Sequence, residues 1–427
     1  MARFSARVPA IAALAIVLKF AVLAAFTALS PVTILAEVLW AVTLVQVFAR
    51  VVDLGLPSLM RIVLVRPLGQ CVARKPAVWF IYFTYAALAC GLLTLPFYYF
   101  SDSAAEIPIV LMAVHGACLA LNNMVLARQL AEERPAIAWN QLVPHVLPLA
   151  VVAIEATWSR NLFHDTMHVY GFYAAGDFLI AVVSLYGAYK LRGLRTAPIR
   201  RLFRTLKSAG TPRFLALSWC SQLAKLFSQK AERLLAFGFL SAEAYLVASY
   251  VLAIRDGISG VAGMAMYKQF NHVLRKQWRR ASDPIASRLF WPTLIMVVTA
   301  AAAAVVLWQI LPSLLQFIPA YRFDGDDISI AIMTAAIIPF IYLQLVGQIS
   351  VAERSQSFNF FCQSASLLCM LAAQGSVAYF GADIAVAWIG PFLATMVILV
   401  RISTITKEVS AQRVGDVEDR RYVRPNP

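Results

Sequence analysis

Residues 36–59 read AEVLWAVTLVQVFARVVDLGLPSL. The run exceeds the roughly 20 apolar residues that an α-helix needs to cross a hydrocarbon core. Within it, Thr43, Gln46, Arg50 and Asp53 fall at i, i+3, i+7 and i+10, a single stripe on a helix that is otherwise apolar. A polar stripe on such a helix faces water or a polar ligand rather than lipid, because a charge at mid-bilayer costs about 2.5–3.5 kcal/mol on insertion scales. This stretch therefore reads as a membrane helix that lines something.

The whole chain repeats the pattern. It has 427 residues, 61% hydrophobic and 14% charged, with a mean hydropathy of +0.72. Soluble domains run nearer half apolar and a quarter charged. Secreted enzymes, nucleic-acid modules and disordered scaffolds are excluded. Open sheets cannot satisfy their backbone in lipid, so the expected class is an all-α polytopic membrane protein. Apolar stretches recur about twelve times at spanning length. The first six are Val8–Leu29, Ala36–Leu59, Val78–Phe100, Ile107–Leu126, Ala136–Ala156 and Val169–Tyr189. The second six are Phe214–Phe239, Ala244–Met266, Leu289–Leu311, Ile328–Val351, Phe358–Phe380 and Ile384–Ile405. Asn140, Gln141, Pro144, His145 and Pro148 make the fifth the least regular. The first run is too long for a signal-peptide core and lacks a small-residue cleavage pattern, so it is expected to remain as a helix.

Loop charge tests the count. With the N-terminus cytoplasmic, nearly every loop cation falls inside, and only Arg160 and Arg322 fall outside. A missed or extra helix would break the alternation. The net charge of +15 thus reports topology rather than nucleic-acid binding. The expected architecture is two six-helix lobes, 1–189 and 214–406, joined by a basic cytoplasmic linker over 190–213. A cytoplasmic tail follows over 407–427, and both termini are cytoplasmic. Both lobes begin on the same side, so they should be related by an axis along the membrane normal. The linker reads as a headgroup-facing basic strip.

Of the 37 Lys and Arg, six fall within helices: Lys19, Arg50, Lys225, Lys230, Arg233 and Arg255. They occupy only the first, second, seventh and eighth. Lys19 and Lys225 are separated by nearly the same offset as Arg50 and Arg255, which suits a two-fold repeat with a symmetric cationic cavity. Lys19, Arg50, Lys225 and Arg255 are the candidate binding residues. Gln46, Gln222, Gln229, Lys230 and Arg233 are secondary lining. On the seventh helix Ser218, Gln222, Lys225, Gln229 and Glu232 again form one stripe. The core carboxylates Asp53, Asp177, Glu232 and Asp256 are candidates for ion coupling. Closed ion pairs, Arg50 with Asp53 for example, are the competing reading. The carboxylates are too few to neutralise the cations, so an anionic ligand would supply the balance.

Other chemistry is missing. There is no phosphate-binding G-x-x-x-x-G-K-[ST] loop, no Ser–His–carboxylate set at one depth, and no long outer loop with paired carboxylates. No enzymatic activity and no cofactor are expected. Cys71, Cys90, Cys118, Cys220, Cys362 and Cys369 lack metal-ligand spacing and read as small buried hydrophobes. His164 and His168 read as a solvated turn, not a metal site.

The segment Val52-Asp53-Leu54-Gly55-Leu56-Pro57-Ser58-Leu59-Met60-Arg61 resembles the close of the second helix in polysaccharide-export flippases of the MOP superfamily, the Wzx-type exporters of O-antigen or exopolysaccharide units. Residues 231–236 (AERLLA) and 244–250 (AYLVASY) are similar to their seventh-to-eighth helix pattern, and Pro319-Ala320-Tyr321-Arg322 to an outer-loop feature. Glu232 stands where the family often has aspartate. The resemblance implies two lobes in a V around a cavity lined by the first, second, seventh and eighth helices. It also implies alternating-access flipping of a polyprenyl-pyrophosphate-linked oligosaccharide in the bacterial cytoplasmic (inner) membrane. The partners implied are that lipid-linked oligosaccharide, membrane lipids and other polysaccharide-assembly proteins, with no nucleic acid. The alternatives are small-solute transporters. The major-facilitator class has an aspartate-containing signature that residues 61–75 lack. A multidrug exporter of the MOP superfamily would want carboxylates, not cations, to dominate its core.

Overall fold

The computed structural model describes residues 2–57, 76–100, 107–132, 137–158, 163–190, 211–239 and most of 241–257, with isolated helical positions between 298 and 372. Seven helices are complete: α1 (Ala2–Leu29), α2 (Val32–Val52), α3 (Pro76–Phe100), α4 (Ile109–Glu132), α5 (Ile137–Trp158), α6 (Thr166–Lys190) and α7 (Thr211–Phe239). An eighth segment is helical at 245–250, 252–253 and 256–257. No strand occurs among the described residues. The ninth to twelfth expected spans lie largely outside them. Four described helices contain apolar windows long enough to cross a membrane: Val32–Val52, Trp79–Pro96, Ile109–Gln129 and Thr166–Tyr186.

Several helix ends differ from the sequence expectation, for local reasons. Proline 31 caps α2 with extended backbone, φ −55° and ψ 141°, so α2 starts at Val32 rather than Ala36. It ends at Val52 rather than Leu59. Leu54 and Gly55 take left-handed φ values of 46° and 72°, and the Leu56 amide donates to the Asp53 carbonyl at 2.8 Å. That pair turns the chain out of the helix axis. Helix α6 runs to Lys190 and α7 starts at Thr211, so both ends of the expected 190–213 linker are helical. The fifth span stays helical through Pro144 and Pro148.

Helix α2 is the hub. Its residues Leu35, Val38, Leu44 and Val45 are at most 1% exposed, and it packs against α4, α3 and α6 on one side and α7 on the other. Around it α3 pairs with α4, while α5 lies between α1 and α6. The close approach of α5 and α6 depends on Gly176, where an added Cβ would sit 2.4 Å from Pro144 Cα and 2.6 Å from the Val143 carbonyl oxygen. Apolar side chains also cover the outside. Ile81, Leu88 and Leu92 of α3 are each about two-thirds exposed, the surface expected of a helix meeting lipid tails.

Candidate functional site

One polar cavity lies where α1, α2, α6, α7 and the eighth segment converge. Lys19 from α1, Thr43 and Gln46 from α2, Tyr173 from α6, Arg233 from α7 and Ser249 from the eighth segment supply its polar lining. Its volume, about 20 Å³, suits water rather than a solute. Lys19 lies within electrostatic reach of Arg233, Lys230 and Asp256. Lys230 Nζ donates to Asp256 Oδ2 at 2.9 Å, and Arg233 Nη2 comes within 3.4 Å of the same oxygen. Among the described residues, Lys230 and Arg233 thus meet at the Asp256 carboxylate. The guanidinium of Arg233 is buried, with neither Nε nor Nη2 in a hydrogen bond. Buried charged donors without acceptors are costly, so an arriving anion would gain two ready hydrogen-bond donors.

Aromatic and polar contacts hold these helices together on either side of the cavity. The Thr27 and Tyr250 hydroxyls are 2.6 Å apart, joining α1 to the eighth segment. Trp40 of α2 stacks on Phe237 of α7 at 5.3 Å between centroids. Toward the other end of the same two helices, Trp219 Nε1 donates to the Val51 carbonyl at 2.9 Å.

The structure distributes the sequence-derived candidates over several places. Lys19, Gln46 and Arg233 line the cavity. Arg50 instead sits in the last turn of α2, where its Nη1 pairs with Asp53 Oδ2 at 3.3 Å. Asp53 is fully buried; it also accepts from Tyr82 Oη at 2.6 Å and Asn123 Nδ2 at 3.5 Å. This corrects the expectation that the whole stripe from Thr43 to Asp53 faces one cavity. Donors on α3 and α4 capture its lower half. Gln222 Nε2 lies 3.3 Å from Ser218 Oγ, on α7. Asp256 holds the two α7 cations, and Asp177 faces His115 and Asn122 within the first six helices. The side chains of Lys225, Gln229 and Glu232, and the whole of Arg255, lie outside the described residues. Cys90 and Cys118 are buried free thiols, and Cys220 is half-buried and free. His168 contacts Asp165 and is partly exposed, but it stands in the first turn of helix α6 rather than in the expected turn.

Sequence reasoning missed His115, Tyr82 and the Asn122–Asn123 pair, because it searched for charge alone. A signal was present: His115 and Asn122 stand at i and i+7 on an otherwise apolar helix.

No protein-family profile and no curated protein matches the sequence. Among solved structures, the chain is similar to an outward-facing multidrug resistance MATE family transporter of the MOP superfamily. That likeness has 14% identity and a TM-score of 0.58, and covers 96% of each chain. It is also similar to a MATE protein in complex with MaL6, at 14% identity and TM-score 0.59, covering 97% of this chain and 96% of the other. The eukaryotic MATE transporter AtDTX14 gives 15% identity and TM-score 0.53, covering 97% of this chain and 99% of that one. Likeness over nearly full length at such low identity establishes the fold. The chain is a multi-pass, all-helical membrane protein with the twelve-helix fold of the MATE transporters of the MOP superfamily.

Proposed function

We propose that this protein is an alternating-access exporter of a small amphipathic solute, and that the solute carries negative charge. The structural neighbours named as multidrug transporters support the export of small solutes. The observation that carries the charge assignment is the meeting of Lys19 and Arg233 in one cavity, with the Nε and Nη2 of Arg233 outside any hydrogen bond. An organic cation would meet like charge there, whereas an anion is offered a point charge and a planar fork. The lobes 1–189 and 214–406, the basic linker and the cytoplasmic termini follow from loop charge, and a bacterial cytoplasmic membrane is the setting this reading assumes. Transport, not catalysis, is its activity.

The cavity charge also favours a second reading, a flippase for polyprenyl-pyrophosphate-linked oligosaccharide in the assembly of O-antigen or another surface polysaccharide. A pyrophosphate would match the same cations, with its lipid tail left in the bilayer between the lobes. The exporter reading fits the structural neighbours better. Equilibrium binding to the purified protein separates the two. The exporter reading expects an anionic dye to bind and a polyprenyl-pyrophosphate oligosaccharide not to compete with it. Tight binding of the lipid-linked oligosaccharide, with no affinity for small anions, would replace the exporter with the flippase.

A further inference from the structure

The cavity between α1, α2, α6, α7 and the eighth segment has the size of a single small occupant. At about 20 Å³ it holds one water or little more. A carboxylate or a phosphate group, with several bonded heavy atoms, needs more room than that. A halide ion is one atom, only slightly larger than a water. We propose that this arrangement of the helices binds a single monoatomic anion, chloride or bromide, between Lys19 and Arg233. The halide site stands on the cavity alone. Its role as the ion that a larger anionic cargo displaces rests on the exporter reading.

The donors decide the charge of the occupant. Arg233 is 7% exposed, and its Nε and Nη2 make no hydrogen bond. Those two N–H groups lie on one edge of the guanidinium and form a fork for an acceptor. A guanidinium keeps its proton, so burial leaves the fork both charged and unmet, which is costly. Lys19 reaches the cavity from α1 and meets Arg233 through space rather than through a hydrogen bond. Ser249, 4% exposed, adds a buried hydroxyl that has no hydrogen-bond partner. Thr43 adds no donor, because its hydroxyl already donates to the Leu39 carbonyl at 2.7 Å. Asp256 accepts from Lys230 at 2.9 Å and lies 3.4 Å from Arg233 Nη2, but it is not part of the cavity lining. A water here would accept from the donors and bring no charge. A halide accepts from every side and brings one.

The remaining walls set the selectivity. Leu23, Leu39, Val42 and Ala253 make much of the lining apolar, so an entering ion sheds most of its water. The Born cost of that step falls as the ionic radius grows. Chloride and bromide are therefore favoured over fluoride, while sulfate and gluconate are too large. Lys19 and Gln46 come from α1 and α2, and Arg233 and Ser249 from α7 and the eighth segment. One bound ion thus ties together helices from both halves of the sequence, and it should stabilise this packing against heat.

The site can be tested without any cargo. Full-length protein in lipid nanodiscs, kept at constant ionic strength with sodium gluconate, is titrated with chloride, bromide, fluoride or sulfate. The melting temperature should rise saturably by about 2–4 °C with chloride and bromide and stay flat with fluoride and sulfate. The chloride nuclear resonance should broaden when wild-type protein is added and narrow again when bromide displaces the ion. Arg233→Gln should lose both responses, and Ser249→Ala should weaken chloride affinity several-fold. If Arg233→Gln fails to fold, Ser249→Ala and the wild-type resonance carry the test. Equal responses to chloride, fluoride and sulfate, broadening that bromide does not reverse, or wild-type affinity in folded Arg233→Gln overturns the site. The link to cargo has its own arm, in which chloride should compete with an anionic dye for the purified protein. A halide response beside dye binding that chloride leaves unchanged overturns the shared site. Dye binding without any halide response overturns the halide site and leaves the exporter reading standing. A halide response in protein that binds no dye does the reverse.

Discussion

Asp53 shows at the scale of one residue how a membrane protein stabilises a carboxylate. It is fully buried at the end of α2, yet three side chains from three helices donate to it. Removing one donor leaves a buried acceptor short by one bond, a loss of about 1–3 kcal/mol. Tyr82→Phe should therefore lower stability by that amount, read as a drop in melting temperature of the detergent-solubilised protein, with transport reduced no more than the folded fraction. The Arg50–Asp53 pair was legible in the sequence as an alternative to a ligand site, being three residues apart on one helix. Tyr82 and Asn123 were not, since nothing in a single sequence says which distant helices lie beside Asp53. The next two residues set the chain direction. Gly55 holds φ at 72° in a buried turn, where a Cβ costs about 1–2 kcal/mol. Gly55→Ala should show that loss by thermal denaturation, and Leu54→Asn, at the neighbouring left-handed position, should not destabilise.

At the scale of elements, hydropathy located the helices and local chemistry set their ends. Spanning length and apolar character were readable for α1 to α7, but the stop of α2 at Val52 needed the Leu54–Gly55 geometry. The fifth span looked weakest because of its prolines. It is helical over Ile137–Trp158, and Gly176 of α6 lies directly against Pro144, which lets the two backbones meet. Gly176→Ala should force α5 and α6 apart at a cost of about 1–3 kcal/mol. Its neighbour Tyr173 lines the cavity, so transport should fall in protein that still folds. Purified Gly176→Ala that matches wild type in both melting temperature and transport would contradict this packing account. The α2–α7 pairing could not be seen from sequence. Trp40 and Trp219 read only as aromatic residues in apolar helices until Phe237 and the Val51 carbonyl are placed beside them.

At the scale of the whole molecule, and among the described residues, α1 and α7 bring Lys19, Lys230 and Arg233 near one another. The cations that the sequence places within spans fall on the first, second, seventh and eighth helices, and these line the cavity together with α6. The all-helical polytopic class was legible because length, hydropathy and loop charge constrain one another. The membership of the cavity was not. Of the four cations ranked first, Lys19 lines it and Arg50 is held by Asp53, while Arg233 from the secondary set supplies the unsatisfied donors. Sequence spacing places a residue on a helix face, but neighbouring helices decide whether that face is open or already bonded. Removing one charge-assisted contact of about 1.5–3 kcal/mol should weaken anion binding by about 10- to 100-fold. Arg233→Gln and Lys19→Gln should each show this, while Arg50→Gln should act on stability and leave anion affinity near that of wild type. Isothermal binding of an anionic dye to each variant checks the ranking.

The most direct measurement of the central claim is counterflow of radiolabelled solutes in proteoliposomes, comparing an organic anion with an organic cation of similar size and hydrophobicity. The account predicts anion exchange by wild type, its near-complete loss in the Lys19→Gln, Arg233→Gln double variant, and no cation exchange in either. Saturable cation exchange by wild type, unchanged in the double variant, would contradict it.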